Sequence, residues 1–462
     1  MQVKDGVGRI IALGVLLMAA LALGLLIARG TSYMTFGLAA IICVVALAYP
    51  FAATLLLIAA FMRLKGSEGL DTDEITTFAL FAGGAGYAIF SLAGRSFPDK
   101  IISTMMRVLV GLLGYIAVSL AISRSHGVSF TAWASDVAPL GCLAMAPIAL
   151  AVARTRSQSR WLAALLGGLL LVSGLRWATD LVPSFYGLVP SLAQAPSTIT
   201  PAVLVSWGTA MQLQKRRLTW GYSAMTVIGL AIAVATSTRT IWASLVLTVL
   251  VLLWLHSRST QAIGAAVSAL LGIALLTVGT FAAWRYSAGD TQAFETQKDR
   301  VSSLGDLTED MSVTIRQAQI AEALEVFASS PFTGIGPGYM YLSYLEFDRY
   351  TQVDNVNHSD LANALAKLGL IGAVMIYGFL FLAVRACMQL HTTGTRASDR
   401  ALGLMTATTL IIAMVIGNAT PLLQNRSAAF FLACLIGVSL ASLNLSSQEA
   451  AAAQEAEQLA AQ

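Results

Sequence analysis

The sequence contains few charged residues. Asp, Glu, Lys and Arg make up only 11% of the 462 residues, whereas 57% of the residues are hydrophobic. The mean hydropathy is +0.74, and a soluble protein of this length would need far more polar surface. Because the apolar runs are continuous and do not alternate with polar residues, an outer-membrane barrel is disfavoured. We therefore predict an all-α polytopic membrane protein.

Cysteine and net charge are also scarce. The four cysteines, Cys43, Cys142, Cys387 and Cys434, lie in apolar runs, and none forms a Cys-x-x-Cys pair. We expect neither a disulfide framework nor a metal site. The net charge of +4 is small, so we interpret it as loop charge that orients the chain in a membrane, and we expect no nucleic-acid partner.

Long apolar runs divide the chain. They lie near 10–28, 36–62, 75–94, 101–123, 136–153, 161–176, 200–213, 220–237, 241–257, 262–283, 361–387, 402–418 and 427–443. The run 36–62 contains Pro50 and is longer than one span needs, so it is either one tilted helix or a hairpin of two short helices. We predict about 12 to 14 transmembrane helices, grouped as an N-terminal bundle 1–283, a large loop 284–360, C-terminal helices 361–445 and a cytoplasmic tail 446–462.

Basic residues predict the orientation of these spans. They cluster at Lys4 and Arg9, at Arg95 and Lys100, at Arg154, Arg156 and Arg160, at Lys215, Arg216 and Arg217, and at Arg385, Arg396 and Arg400. With these clusters on the cytoplasmic side, the positive-inside rule is satisfied from residue 75 onward, and the large loop faces the extracytoplasmic side. An N-terminus on the cytoplasmic side then requires the hairpin at 36–62.

The large loop contains an arginine on a predicted amphipathic helix. The stretch Ser312 to Ser329 has apolar residues at helical spacing, and Ser312 can cap it. The residues of this apolar stripe are Val313, Ile320, Leu324 and Phe327. Arg316 borders this stripe, and from its position alone a snorkelling or ion-paired arginine at the membrane surface is favoured over a functional one.

A glycine-rich segment, 331–339, follows that helix. Gly334, Gly336 and Gly338 have the spacing G-x-G-x-G and come after a helix, so they do not form a dinucleotide-binding fingerprint. A structural elbow is favoured, and glycine N–H groups around a phosphate are the alternative. Tyr339 begins a group of aromatic residues that suits a membrane-interface belt or, as a second interpretation, a sugar-stacking surface.

His358, one of only four histidines, lies where the loop returns to an apolar helix. Asn357 or Ser359 can cap that helix, and Asp360 suits its first turn. Because the positive end of the helix dipole disfavours imidazolium, His358 can remain neutral and accept a proton. A hydrogen-bonded interface histidine is the alternative, and position alone favours it.

Two further arginines lie at extracytoplasmic ends of predicted spans. Arg239 joins two apolar runs almost without a loop, against the positive-inside trend. Binding to lipid headgroups and binding to an anionic substrate are both consistent with this position. Arg176 raises the same question more weakly.

Three of these motifs together resemble the O-antigen ligase and polymerase superfamily. They are the segment from Thr236 to Trp242 with its Arg239, the segment from Arg316 through Pro331–Gly338, and the segment from His358 through Gly372. The resemblance covers about Thr236 to Gly372. Two positions depart from the family pattern: Ser359 stands where the family commonly has Asn, and Lys367 stands where it often has Glu.

The resemblance implies a fold similar to the lipid-dependent glycosyltransferases of the C type (GT-C), in the bacterial inner membrane with the active site facing the periplasm. It implies transfer of a glycan from undecaprenyl diphosphate to lipid A-core, with His358 as catalytic base and Arg239 and Arg316 on the diphosphate. We expect no Asp-x-Asp metal motif in the extracytoplasmic segments, and guanidinium groups bind phosphate bidentately, so we expect arginines in place of a metal ion and no cofactor. Gly334, Gly336, Gly338, Tyr339 and Arg176 are secondary candidates for substrate binding.

Other functions stay open at this point. Within the superfamily, a polymerase transfers the glycan to another lipid-linked repeat unit, and an oligosaccharyltransferase transfers it to a protein. Outside it, a flippase or transporter for lipid-linked oligosaccharides would need polar residues deep within spans and broken, paired helices. The spans contain few charges, which favours chemistry at one membrane face.

Overall fold

The computed structural model describes residues 42–61, 72–93, 95, 97–180, 199–215, 219–236, 239–256, 311–345, 350–354 and 357–462. Almost all of these residues are helical. The helices are α1 (Pro50–Phe61), α2 (Thr72–Leu92), α3 (Lys100–Ser125), α4 (Phe130–Gly141), α5 (Met145–Val152), α6 (Arg156–Asp180), α7 (Thr200–Lys215), α8 (Trp220–Thr236), α9 (Arg239–His256), α10 (Met311–Ser329), α11 (Asp360–Thr393), α12 (Ala397–Ile416) and α13 (Arg426–Ala461). The all-α membrane prediction is confirmed.

Five helical segments in the described ranges are long and apolar enough to cross a membrane. They are α3, the segment Phe130–Val152 formed by α4 and α5 with a 3-10 turn at Cys142–Ala144 between them, α11, α12 and α13. Four shorter apolar helices add to these: Pro50–Ala60, Ala79–Leu92, Trp220–Ala233 and Thr240–Leu255. The predicted spans 10–28 and 262–283 lie outside the described residues, so the total of 12 to 14 stays a prediction.

The run 36–62 forms one bent helix as far as the structure describes it. Residues 42–48 are helical, Tyr49 is a bend, and α1 continues from Pro50. The Tyr49 N–H donates to Val45 O at 2.8 Å, and the Ala53 N–H donates to Tyr49 O at 3.0 Å, which is the helical i to i−4 pattern. Of the two alternatives, the tilted helix is therefore observed. The hairpin that a cytoplasmic N-terminus required is absent from residues 42–61.

The basic clusters from Arg95 onward lie, as far as the structure describes them, at one end of the bundle, which we call the basic end; Lys4 and Arg9 are outside the described residues. Arg156, at the start of α6, lies with Nη1 2.6 Å from Asp399 Oδ2 at the start of α12. Arg400 donates from Nε to Gln214 Oε1 at the end of α7, at 3.0 Å. The described helices therefore run in the directions that the charge pattern predicts.

The opposite end carries His358, and we call it the His358 end. α11 runs from this end to the basic end and α12 returns, so that the Asp360 N–H donates to Gly417 O at 2.8 Å. α3 also ends here, because Ser123 contacts the segment 331–338. The functional candidates therefore lie at the end away from the basic clusters.

Small residues bring the helices of this bundle close together. At Gly403, a Cβ would meet the backbone of α11 at Cys387, and at Gly437 it would meet Ala146 O. Side chains such as Phe379, Phe430 and Phe431 fill the remaining interior. Within a membrane, van der Waals packing at such contacts stabilises the bundle, because moving an apolar side chain from lipid to protein gives no hydrophobic gain.

Two features of the fold differ from the predicted organisation. Residues 446–461, expected as a separate tail, continue α13, and Glu449 pairs with Arg156 at 2.9 Å. In the large loop, strands β1 (Tyr341–Leu345) and β2 (Tyr350–Asp354) form an antiparallel hairpin in which Tyr341 pairs with Asp354 and Leu345 with Tyr350. The sequence predicts only a helix in this loop.

Candidate functional site

α11 is broken at Gly369, and the glycine-rich segment fills the break. Gly369 has φ 64° and ψ −171°, so its neighbours lose their helical hydrogen bonds. The segment 331–338 replaces them from both sides. Ile335 N–H donates to Ala366 O (3.0 Å), Gly336 N–H to Lys367 O (2.9 Å), Leu370 N–H to Pro331 O (2.8 Å) and Ile371 N–H to Phe332 O (3.2 Å). These four bonds give partners to backbone groups on both sides of the break, as buried backbone in a membrane requires.

The three glycines of this segment are structural. Gly334, Gly336 and Gly338 have φ values of 68°, 92° and 84°, and a Cβ at Gly334 would collide with the backbone of Lys367. Their N–H groups are all used: Gly334 donates to Ser330 O (2.9 Å), Gly336 to Lys367 O (2.9 Å) and Gly338 to Asp136 Oδ2 (2.6 Å). The elbow interpretation accounts for these bonds, and none of the three N–H groups is left for a phosphate.

α3 supports the same junction. The Tyr115 hydroxyl lies 2.9 Å from Leu368 O and 3.2 Å from Thr333 O, so it bridges the broken helix and the glycine-rich segment. Ser123 donates from Oγ to Pro337 O at 2.8 Å. These two side chains fix the segment to the membrane bundle.

α10 packs on the first turns of α11 through small residues. Ala323 is fully buried against Ala362 and Ala366. Gln319 is also buried, whereas Leu324 of the predicted apolar stripe is 45% exposed. The buried face of α10 therefore lies about one residue before the predicted apolar stripe, because alanine and glutamine pack against α11 and the larger leucine does not.

Gln319 connects α10 to His358. His358 Nδ1 lies 2.6 Å from Gln319 Oε1, and Asn357 donates from Nδ2 to the backbone carbonyl of Gln319 at 2.8 Å. Because an amide oxygen can only accept, Nδ1 is the nitrogen that donates to Gln319, and in the neutral form of the ring Nε2 then carries the lone pair. This is the tautomer that a proton acceptor at Nε2 needs.

The residues around His358 are held by backbone and amide bonds. Ser359 is the N-cap of α11 and accepts from the Ala362 N–H at 3.2 Å, as predicted for either Asn357 or Ser359. The Asp360 carboxylate accepts from the N–H groups of Leu422 (3.0 Å) and Leu423 (2.9 Å). Gln424 bonds both backbone groups of Asn357, at 3.1 and 2.7 Å. These bonds fix the start of α11, and they fix the position of His358 because it lies directly before the N-cap.

Arg316 lies on the same face of α10 as Gln319. The two residues are three positions apart, which places their side chains one above the other on a helix. Arg316 is half-buried, and within the described part of the chain its buried Nε atom has no hydrogen-bond partner. A buried guanidinium N–H without an acceptor favours an anionic ligand over the snorkelling interpretation.

The other two arginines lie at this end by helix direction. α8 begins at the basic end, where Lys215 lies 3.3 Å from Tyr222, so α9 begins at the His358 end with Arg239 as its first residue. Arg176 lies near the end of α6, which starts at the basic end with Arg156. The side chains of Arg239 and Arg176 are outside the described part, so their roles stay predictions.

Two other sequence features lie near this end. Tyr339 is 36% exposed directly after Gly338, and its role in substrate binding stays a prediction. Asp71-Thr72-Asp73 is the one Asp-x-Asp stretch of the sequence, and α2 begins within it. The end of α2 is at the basic end, where Arg154 donates to Ser91 Oγ at 2.7 Å. Its start is therefore at the His358 end, so the expectation that this side has no Asp-x-Asp motif is wrong, and the metal-free mechanism loses that support.

Sequence reasoning did not identify Gln319, Asp136 or Gln424 as parts of the site. Gln319 could have been found, since it lies three residues after Arg316 on a predicted helix. Asp136 and Gln424 are far from His358 in sequence, and only the packing of α4 and of the segment after α12 brings them to α11.

Comparison with known protein families gives a match that includes these residues. Residues 224–377 match a family model described as O-Antigen ligase. The matched segment includes α9, α10, the glycine-rich segment, His358 and the break at Gly369. No curated protein matches the chain.

Proposed function

We propose that the chain belongs to the O-antigen ligase and polymerase superfamily, whose family model matches residues 224–377, and that it transfers a glycan from undecaprenyl diphosphate to lipid A-core in lipopolysaccharide biosynthesis. It is a multi-pass membrane protein of the glycosyltransferase type that this family contains. The observation that carries the proposal is the hydrogen bond between His358 Nδ1 and Gln319 Oε1 at 2.6 Å.

In the proposed reaction, His358 is the catalytic base. Its Nε2 takes the proton of an acceptor hydroxyl while the hydroxyl oxygen bonds to the anomeric carbon of the donor sugar. The bond between that carbon and the diphosphate oxygen breaks, and undecaprenyl diphosphate leaves with the bonding electrons. Gln319 keeps the proton on Nδ1 and so directs the basic nitrogen away from α10.

Arg316 and Arg239 are proposed to bind the diphosphate. The leaving group gains negative charge as the glycosidic bond breaks, and a guanidinium that is already in place stabilises that charge. The Nε of Arg316 has no hydrogen-bond partner among the described residues and lies one turn from Gln319, which supports this assignment for Arg316. For Arg239, the support is its place at the start of α9.

We propose that the His358 end faces the periplasm and that the protein lies in the bacterial inner membrane with a GT-C-like arrangement. The support is the separation of charge: Arg156, Arg400 and their partners lie at the opposite end, as the positive-inside rule requires of a cytoplasmic face. A lipid-linked donor in the outer leaflet would then present its diphosphate at the level of His358.

The acceptor is tested by deleting the gene and examining lipopolysaccharide on a gel. The ligase proposal predicts lipid A-core without any O-chain. Core carrying a single repeat unit would identify a polymerase instead, and unchanged lipopolysaccharide with a lost glycoprotein would identify a protein oligosaccharyltransferase. Complementation by wild-type chain and not by His358→Ala ties the phenotype to the site.

The metal-free mechanism is tested by chelation. Transfer by the purified protein in EDTA should equal transfer in buffer, because the proposed arginines supply the positive charge. A strict requirement for a divalent cation would contradict this, and Asp71→Asn with Asp73→Asn would then be the variant to examine.

A further inference from the structure

Lys367 is one of the two positions that depart from the family pattern that the sequence resembles, and the structure gives it a partner. The side chain is only 2% exposed, on the eighth residue of α11. At a rise of 1.5 Å per residue, it lies about 10 Å along the helix from Asp360. A buried lysine at such a depth in a membrane bundle is expensive unless it is paired.

The partner is Asp136 of α4. Lys367 Nζ lies 2.6 Å from Asp136 Oδ2, and both side chains are less than one-tenth exposed. The same carboxylate oxygen accepts from the Gly338 N–H at 2.6 Å. One oxygen atom thus joins α4, α11 and the end of the glycine-rich segment.

This three-way contact lies beside the break in α11. Lys367 is two residues before Gly369, and its carbonyl accepts from the Gly336 N–H. The segment 331–338 is the direct continuation of α10, which bears Arg316 and Gln319. A contact that keeps the segment in the break therefore also keeps α10 packed against the start of α11 and against His358.

We propose that Asp136 and Lys367 are positioning residues that lock the glycine-rich segment into the break of α11 and so set the geometry between Arg316, Gln319 and His358. The part that concerns catalysis depends on the proposed function. The lock itself is a structural claim that can be measured without any glycan substrate.

The structural claim is tested by the distance between α10 and α11. Spin labels at Glu325→Cys and Leu361→Cys report it, since both residues are exposed and the four native cysteines are buried. The lock predicts a narrow distance distribution in the parent and a broad one in Lys367→Met and in Asp136→Asn, because each leaves one buried charge unpaired. The double variant removes both charges and keeps an acceptor for Gly338, so its distribution should be narrow again.

Lys100→Met, at an exposed lysine of the basic end, is the control and should keep the narrow distribution. Narrow distributions in both single variants would overturn the lock. If the single variants do not fold, recovery of folding in the double variant supports the coupling, and equal failure of all three variants contradicts it.

The catalytic part is tested by kinetics of the unlabelled full chain in vesicles with lipid-linked glycan donor. Each single variant should lose about tenfold or more in kcat with little change in donor KM, because misplacement affects the reaction step more than binding. The double variant should regain most of this loss. Broad distances with unchanged kcat would contradict the positioning role. Wild-type protein with the expected distances and no transfer would refute the proposed function and leave the lock intact.

Discussion

Gln319 Oε1 accepts a hydrogen bond from His358 Nδ1 at 2.6 Å, and this contact joins two helices that are 30 residues apart in sequence at their nearest described ends, Ser329 and Asp360. The bond fixes which ring nitrogen of His358 can take a proton. Since Arg316 lies one turn before Gln319, the same helix places a proton acceptor and a cation at one site.

Substitution of Gln319 should affect the reaction more than the fold. Gln319→Leu removes the acceptor for Nδ1–H, so we expect kcat to fall about tenfold to a hundredfold while the protein stays monodisperse. Gln319→Glu keeps an acceptor, and its carboxylate favours imidazolium. The acid limb of the pH–rate profile should therefore move to higher pH. An unchanged pH–rate profile in Gln319→Glu would contradict the claim that residue 319 acts on the catalytic base.

Arg316→Ala should raise the donor KM and lower kcat, because the guanidinium contacts the diphosphate both in the bound donor and as the leaving group. Arg316→Lys should restore activity only in part, since lysine lacks the bidentate geometry. Arg385→Ala, at an exposed arginine of α11, is the matched control and should keep both parameters. Full activity in Arg316→Ala would remove the diphosphate role.

The break in α11 can be tested with two glycines of the same helix. Gly369→Ala forces a Cβ into a backbone conformation that essentially only glycine adopts, which costs about 1–3 kcal/mol, and into the carbonyl of Phe332 as well. We expect a lower melting temperature in detergent and loss of transfer. At Gly378 a Cβ meets nothing within 4 Å, so Gly378→Ala should be neutral or slightly stabilising. Equal melting temperatures for both variants would refute the structural role of the break.

Asp360→Ala should destabilise the His358 end. Its carboxylate accepts from Leu422 N–H, Leu423 N–H and Gln424 Nε2, and loss of these acceptors leaves buried donors unpaired. The expected cost is about 3 kcal/mol. Thermal unfolding in detergent measures it, and limited proteolysis should show earlier cleavage in the segment 417–425. An unchanged melting temperature would mean that this segment is held in another way.

The sequence was sufficient to predict the frame and the main candidates. Hydropathy identified the apolar helices, basic residues predicted their directions, and capping chemistry placed His358 immediately before the N-cap of α11. These predictions succeed because each depends on a local pattern: apolar length, charge at a helix end, or an N-cap.

The remaining features depend on contacts between distant segments. Gly369 lies in a helical pattern, and its break becomes visible only when the segment 331–338 supplies the missing hydrogen bonds. The pairing of Lys367 with Asp136 spans 231 positions. The hairpin of β1 and β2 also escaped prediction, because its short strands contain Tyr341, Tyr344 and Tyr350, which suited a membrane-interface belt equally well.

The most direct test of the central claim is transfer by purified full-length protein in vesicles, with undecaprenyl-diphosphate-linked glycan as donor and lipid A-core as acceptor. Wild-type protein should form the glycan–core product, and His358→Ala and His358→Gln should both fold, insert and bind donor while forming none within the assay limit. Product formation by either variant at the wild-type rate would contradict the assignment of His358 as the base.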